Sequence, residues 1–206
     1  NIKAFFLPNP DSPSGFFIQK KEIKNLLNLC KQNKTYLVID EAYYPFSKIT
    51  LIDLIKKFDN LLVIRSGSKS FGLAGLRVGF VASNKKNINL ISKFKPIYEI
   101  SSLSGIFYYY MYLNIAKIKK LCKDLLSDKI KFENFLLNQK FEVIHTYGNF
   151  ILVNFGKKRK KINRLLKNYA YIKNDIIIDG INYSRITITE FKNLSNIKKL
   201  IKNVYR

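Results

Sequence analysis

The chain has 206 residues, 47% of them hydrophobic, enough apolar material for a packed core in one domain or a domain and a half. A formal charge of +23 points first to nucleic acid, yet the lysines are scattered in company with Ile and Asn, as in KKNINLISKFK (85–95) and NIKKLIKNVYR (196–206). With no RNP-type aromatic motif, zinc-finger spacing or clear helix-turn-helix pattern, a basic nucleic-acid-binding module stands only as a rival, and with neither a long apolar run nor the zones of a secretory signal the chain reads as cytoplasmic.

The opening run IKAFFL (2–7) predicts a short strand, closed by PNPDSPSG (8–15), a Pro/Ser/Gly cluster that reads as a loop. QKKEIKNLLNLCKQN (19–33) places Ile23, Leu26, Leu27 and Cys30 at helical spacing. TYLVID (35–40) is a continuous apolar run ending in an acid, the pattern of a buried parallel strand. LIDLIKKF (51–58) predicts a second, shorter helix, LLVIR (61–65) a strand, RVGFVAS (77–83) another strand after a glycine-rich turn, and KKNINLISKF (85–94) a helix. Alternation at this spacing implies an α/β unit, a mostly parallel sheet flanked by helices, with ligands gathered at the carboxyl ends of its strands.

From about residue 97 the character changes. A long helical region runs through LNIAKIKKLCKDLLSDKIKFENFLLNQ (113–139), followed by FEVIHT (141–146), FILVNF (150–155), a basic helix near 157–168, DIIID (175–179), YSRITIT (183–189) and a terminal helix. Residues 1–100 are accordingly read as the sheet domain and 101–206 as a connecting helix with a smaller C-terminal α+β domain. Cys30 and Cys122 lie far apart in apolar, helix-like surroundings without metal-ligand spacing, so they read as reduced core thiols and no metal site is expected. His145, the sole histidine, reads as structural, and the tyrosines of YEISSLSGIFYYYMY (98–112) as packing residues.

The stretch RSGSKSFGLAGLRVGF (65–80) sets Lys69 among small, flexible residues. A phosphate-binding P-loop needs a Gly-Lys pair, and here Ser68 precedes the lysine; Gly72, Gly75 and Gly79 have the wrong spacing for a dinucleotide fingerprint. A plain surface turn leaves unexplained why Ser66, Ser68 and Arg77 flank the lysine, since these donor types hold a phosphate dianion. In VIDEAYYPF (38–46), Asp40 ends a buried-looking strand and Tyr43 follows where it could enter the same crevice. A carboxylate there is costly unless it meets a cation, and a protonated pyridine nitrogen is one such cation.

These segments carry a resemblance. NPDSPSG (9–15) resembles an N-P-x-N-P-T-G turn, VIDEAYYPF a D-E-A-Y segment, and SGSKSFGLAGLRVGF (66–80) the S-x-S-K-x-F-G-L-A-G-L-R-x-G motif of fold type I pyridoxal-phosphate enzymes of the histidinol-phosphate aminotransferase type. The order and spacing of all three fit, and the likeness covers nearly the whole chain, weakly in its last third. The resemblance implies that residues 1–100 are part of a pyridoxal-phosphate-binding large domain. It implies that Lys69 carries the cofactor as a covalent imine and moves the proton at the substrate's Cα, that Asp40 keeps the ring nitrogen protonated, and that Tyr43 donates to the ring oxygen. It further implies that Ser66, Ser68 and Arg77 bind the phosphate, that Arg185 in YSRITIT clamps a substrate carboxylate, and that the protein is a homodimer acting on small amino-acid and keto-acid or phosphorylated substrates. A decarboxylase of a phosphorylated amino acid, resembling threonine-phosphate decarboxylases, is the alternative on the same scaffold. Asn149 resembles a position near the substrate without an assigned role.

Two positions depart from the family pattern: Ser12 stands where the second asparagine of the turn would donate to the cofactor's ring oxygen, and Thr189 stands where a glycine follows the arginine strand. Relatives also have a long part before the N-P-x-N-P turn, with a phosphate-gripping loop and an aromatic ring stacked on the pyridine. The chain is therefore expected to be the C-terminal portion of a longer protein, binding cofactor poorly by itself.

Overall fold

The computed structural model of the chain describes residues 2–188 and 191–204. They form two compact units, one built from the residues up to Asp11 with Phe17–Lys120, the other from Ser12–Phe16 with the residues from Leu121 onward. Thr189 lies outside the described residues.

The first unit is a four-stranded sheet in the order β1 (Ala4–Pro8), β2 (Tyr36–Asp40), β3 (Leu61–Ser66), β4 (Gly79–Ala82). The first three strands run parallel, and β4 returns antiparallel to β3. Helix α1 (Lys20–Gln32) makes the β1–β2 crossover and buries Ile23, Leu27 and Cys30, one face at i, i+4, i+7. These residues pack with Leu37 and Ile39 of β2 and Leu61 and Val63 of β3 into one core cluster. Each such side chain removed from water stabilises the unit by about 1.5–3 kcal/mol. The link from β3 to β4 holds only a 3₁₀ turn, Ala74–Leu76, and no crossover helix, so the strand it feeds pairs antiparallel.

LIDLIKKF does not form the predicted helix. It makes a 3₁₀ turn at Ile52–Leu54, then further turns in which Lys57 and Phe58 N–H donate to Leu54 O. The segment is tethered at its start through Thr50 and Leu51 to the Glu41 carboxylate and must reach β3 at Leu61, too short a run to propagate an α-helix. Helix α2 (Lys85–Ser92) is capped by Asn84 Oδ1, which accepts from Asn87 N–H at 2.9 Å, and helix α3 (Ser102–Leu113) by Ser101 Oγ, which accepts from Ser104 N–H at 3.1 Å. On α3 only one face packs. Tyr108 is buried against Phe71 and Phe80, whereas Tyr98, Tyr109, Tyr110 and Tyr112 are exposed. The expectation that the tyrosines of this segment are packing residues therefore holds for Tyr108 and for Tyr112, whose half-open ring meets Phe80 edge-on at 5.9 Å, and fails for Tyr98, Tyr109 and Tyr110, whose positions on and before the helix turn them away from the sheet.

The second unit is an antiparallel sheet with helices on one side. Its strands are β5 (Glu142–Ile144), β6 (Phe150–Asn154), β7 (Ile172–Ile178) and β8 (Ile181–Thr187), in the order β5-β6-β8-β7. Helix α4 (Ile115–Asn138) enters this unit at Leu121, and α5 (Arg159–Leu166) and α6 (Phe191–Asn203) complete it. Ile151 and Val153 of β6 and Ile186 of β8 meet Phe132, Leu136, Ile162, Leu166, Ile197 and Ile201 from the helices. Leu152, Ile176 and Tyr183 close a smaller cluster on the opposite face, as strand alternation requires.

Both cysteines are free and buried, and burial pushes the Cys122 thiol up to about 11 and the Cys30 thiol upward as well. Among the described residues no helix is long and apolar enough to cross a membrane.

Candidate active site

The carboxyl ends of β2 and β3 bring most of the sequence-predicted residues together. Asp40 is the last residue of β2, and its Oδ1 accepts from Ala42 N–H at 2.8 Å. Leu37, Val38 and Ile39 are buried, but Asp40 itself is exposed, one residue beyond the core. The sequence suggested a carboxylate whose burial demands a counter-cation; at this strand end solvent removes that cost. Tyr43 is buried below it, and Lys69 Nζ lies 5.7 Å from the centre of its ring. The neighbouring Ser70 hydroxyl donates to Tyr44 O at 2.5 Å, so the lysine segment is stitched to the segment after Asp40.

The lysine loop has a defined internal geometry. Gly67 N–H donates to Val78 O at 2.9 Å and Leu73 N–H to Gly67 O at 2.9 Å, which folds the loop back on itself. Ser68 N–H donates to Ser66 Oγ at 3.1 Å. Ser66 pairs with Gly79 across the β3–β4 ladder, and a Cβ at Gly79 would stand 2.4 Å from Arg65 O, so only glycine permits this approach. Arg77 has a left-handed backbone (φ 50°), is exposed, and donates from NH1 to Ala74 O at 3.1 Å. Lys69, Ser66, Ser68 and Arg77 are thus gathered on one loop at the strand ends.

Beneath them lies a pair that sequence reading missed. Arg65 and Glu41 are both buried, and Arg65 Nε donates to Glu41 Oε2 at 2.8 Å while its NH2 donates to Thr50 Oγ1 at 2.7 Å. Glu41 also accepts from Thr50 Oγ1 at 2.9 Å and Leu51 N–H at 2.6 Å. The guanidinium stacks 3.5 Å from the centre of the Tyr44 ring. Since Asp40 pairs with Ile64 in the parallel ladder, Glu41 and Arg65 follow the last registered pair, and their bond fixes Asp40 relative to Ser66. The available signal was opposite charges directly after two apolar runs. Tyr108 abuts Gly67 from α3; burial pushes its phenol up to about 12, against the pull of Arg65 and with a smaller push from Tyr112.

Ser12 and Arg185 belong to the second unit and meet there. Arg185 NH1 donates to Ser12 Oγ at 3.0 Å, and the guanidinium lies 4.8 Å from the Phe150 ring centre. Arg185 Nε is buried and finds no hydrogen-bond partner among the described residues, an orphan donor of the kind an anionic ligand satisfies. Asn149 O accepts from Ile188 N–H at 2.8 Å, which ties the start of β6 to the end of β8. His145 is exposed, with Nδ1 2.9 Å from Glu133 Oε2. Among the described residues no cluster of His, Cys, Asp and Glu is arranged to hold a metal. A groove of about 310 Å³ beside Lys34 and Asn60 lies at the amino-terminal ends of β2 and β3, away from this chemistry.

Comparison with known proteins gives a consistent picture. The family model for aminotransferase class I and II matches residues 1–192. The histidinol-phosphate aminotransferase 1 of Carboxydothermus hydrogenoformans is 34% identical over 196 residues, covering 95% of this chain and 55% of that protein. The chain therefore spans about half the length of the curated relatives it matches. Among solved structures, the histidinol-phosphate aminotransferase of Clostridium acetobutylicum superposes with a TM-score of 0.84 at 22% identity, over 98% of this chain and 64% of that one. The L-threonine-O-3-phosphate decarboxylase of Porphyromonas gingivalis gives 0.81 at 22%, over 100% of this chain and 65% of that one. The Sinorhizobium meliloti histidinol-phosphate aminotransferase, solved with pyridoxal-5'-phosphate, gives 0.79 at 19%, over 98% and 58%.

Proposed function

The chain belongs to the class I and II aminotransferases, and from that premise we propose that it serves a pyridoxal-phosphate-dependent enzyme of the histidinol-phosphate aminotransferase type. The reaction moves an amino group between an amino acid and a keto acid or phosphorylated carbonyl compound. One observation carries the reading: an exposed amine, Lys69, on a loop that also presents Ser66, Ser68 and Arg77, lies 5.7 Å from the ring centre of Tyr43, three residues after the exposed Asp40 that ends β2.

The donor set fits the cofactor group by group. Lys69 would take the aldehyde carbon on Nζ, Asp40 would face the ring nitrogen and hold its proton, and Tyr43 would donate to the ring oxygen. Ser66, Ser68 and the planar fork of Arg77 would hold the phosphate. Pyridoxal phosphate, when bound, supplies an electron sink for the carbon that loses a proton. Lys69, once released by substrate, would take up and return the proton at the substrate's Cα. Arg185 would clamp the substrate carboxylate or phosphate through its orphan Nε edge. Ser12 accepts from Arg185 through a lone pair and retains its hydroxyl proton as a donor, the role the family resemblance would give it toward the cofactor's ring oxygen.

The exposed apolar and aromatic face of α3, with Leu103, Ile106, Phe107, Tyr109 and Tyr110 open, supports a homodimer. A cytoplasmic location goes with an enzyme of amino-acid metabolism.

The test uses the protein loaded with pyridoxal phosphate. Lys69→Ala removes the absorbance of the lysine-bound cofactor, and persistence of that absorbance overturns the assignment. Incubation of the loaded wild type with amino acids then separates the reactions: accumulation of the cofactor in its amine form supports transamination, and carbon dioxide released from a phosphorylated amino acid favours decarboxylation. Steeply salt-dependent binding of DNA without any cofactor absorbance would favour the nucleic-acid rival.

A further inference from the structure

The second unit contains a lysine that the proposed chemistry does not use. Lys129, on α4, is 0% exposed, on the same helical stripe as Cys122, Phe132 and Leu136. A lysine in such a position normally directs its ammonium to water, because burying the charge is costly. Here the ammonium is turned onto a turn of main chain. It donates to Thr146 O, to Gly148 O at 3.1 Å and to Thr146 Oγ1 at 3.2 Å, and Glu133 Oε1 stands 3.6 Å away as an ion pair. An ammonium has three protons, and three oxygens of one short turn take them.

The gathered turn is the platform on which the Arg185 site rests. Thr146 Oγ1 donates to Phe150 O, and the Phe150 ring lies beneath the Arg185 guanidinium. Tyr147 N–H donates to Gly15 O at 3.0 Å, and Gly15 presses so closely on Thr146 that a Cβ there would stand 2.2 Å from Thr146 Cβ. Gly15 belongs to the segment Ser12–Phe16, whose Ser12 holds Arg185 at 3.0 Å. Asn149, next in the turn, accepts from Ile188 N–H and so fixes the end of the strand that carries Arg185. Besides the ladder that pairs Arg185 with Leu152 and Lys173, the contacts around the guanidinium, Phe150 and the Ser12–Phe16 segment, are tied to residues 146–150.

We infer that Lys129 is a positioning residue for the anion clamp of Arg185: its buried ammonium gathers the 146–148 turn, and this turn seats both Phe150 and the Ser12–Phe16 segment around that guanidinium. The role rests on the reading of Arg185 as the group that binds a substrate anion. It does not require Lys129 to touch substrate. A buried ammonium held against carbonyl oxygens costs stability, and burial pushes its pKa down to about 8 against the pull of Glu133. Such a group is retained for the geometry it enforces.

The experiment uses the pyridoxal-phosphate-loaded protein with L-glutamate as the probe amino donor and a 2-oxo acid at saturating concentration as amino acceptor, measuring the KM for glutamate, kcat and cofactor content for Lys129→Met, Lys129→Arg and Arg185→Met. Lys129→Met raises KM about tenfold, since small misplacements of a clamp are amplified in binding, while kcat and cofactor content stay within about twofold of wild type. Lys129→Arg, which keeps a charged fork of donors, recovers most of the loss. If Lys129→Met does not accumulate as folded protein, Lys129→Gln, with one amide donor left, is held to the same limits. A KM within about twofold of wild type in the Met or Gln variant, where Arg185→Met raises it, overturns the positioning role and leaves the Arg185 reading intact. An unchanged KM in Arg185→Met overturns that reading and the inference with it. A fall in kcat equal to the rise in KM marks a general structural defect and also overturns the inference.

Discussion

The two units treat buried charge in opposite ways. In the first, Arg65 and Glu41 are buried together, and charge meets charge: the carboxylate takes Arg65 Nε, the Thr50 hydroxyl and Leu51 N–H, while the guanidinium lies on Tyr44. In the second, Lys129 is buried beside Glu133, but its hydrogen bonds run to oxygens of a turn and the ion pair stands open at 3.6 Å. The first arrangement joins the ends of two strands from which the proposed cofactor residues project. The second spends a charge on the shape of a turn beneath the proposed substrate arginine. Removing one partner from the first strands a charge in the core, whereas neutralising the second relieves a burial cost and loosens a conformation.

The largest expected effect breaks the first arrangement. Arg65→Met leaves Glu41 buried without its cation and lowers stability by about 3–5 kcal/mol in urea denaturation. The double variant Arg65→Met with Glu41→Leu loses much less, because nothing charged then remains in the core. A single variant that costs no more than the double would erase the contrast between the units.

The next effect concerns pH and has the same sign as that of a salt-bridged carboxylate, stability rising with pH, but it lies in an alkaline window. Lys129 in the folded chain holds its proton only up to about pH 8, short of its ordinary 10.5. Between these values the unfolded chain is protonated and the folded chain is not, so unfolding takes up a proton and stability rises with pH. The slope is at most about 1.4 kcal/mol per pH unit, up to about 3 kcal/mol across the window, and it is absent below the folded value. The measurement is the difference in unfolding free energy between wild type and Lys129→Met from pH 7 to 10, in which the other lysines and tyrosines cancel. A flat difference curve would show that the Lys129 proton is held equally well in both states.

A third effect, of about 1–3 kcal/mol, is expected from Gly15→Ala. The residue has φ +71°, and its Cβ would run into Thr146. Loss of stability without loss of cofactor content would assign the strain to the second unit. A variant as stable as wild type would mean that the Ser12–Phe16 segment yields easily, and the turn would then be a poor platform.

The elements legible in the sequence were those whose signals are local. β2 and β3 are continuous apolar runs closed by Asp40 and Arg65, α1 shows Ile23, Leu27 and Cys30 at one spacing, and the loop around Lys69 announces itself by its glycines and serines. LIDLIKKF also has helical spacing but too little length between its tether and the next strand. The buried pairs were illegible for a different reason. Glu41 and Arg65 each resemble a solvated charge until the register of β2 on β3 sets them side by side. Lys129 was hidden among many surface lysines, although its place on the stripe of Cys122, Phe132 and Leu136 was a signal. The exposed tyrosines of α3 misled because an aromatic run reads as core when the partner of each helix face is unknown.

The smallest expected effect on stability sharpens the comparison most for function. Asp40 is exposed at its strand end, and the bond its Oδ1 accepts from Ala42 N–H at 2.8 Å can be made equally well by an asparagine carbonyl oxygen. Asp40→Asn therefore changes stability by less than about 0.5 kcal/mol, as surface replacements do. The same change removes the negative charge that would keep a pyridine nitrogen protonated, and turnover of the cofactor-loaded protein should fall by about a hundredfold or more. This is the converse of Glu41, one residue along the chain, whose charge is satisfied entirely inside the protein. An Asp40→Asn variant that turns over normally would show that its carboxylate, like that of Glu41, only supports the fold. A variant that is stable yet inactive would place the division between structural and chemical charge at the peptide bond between these two acids.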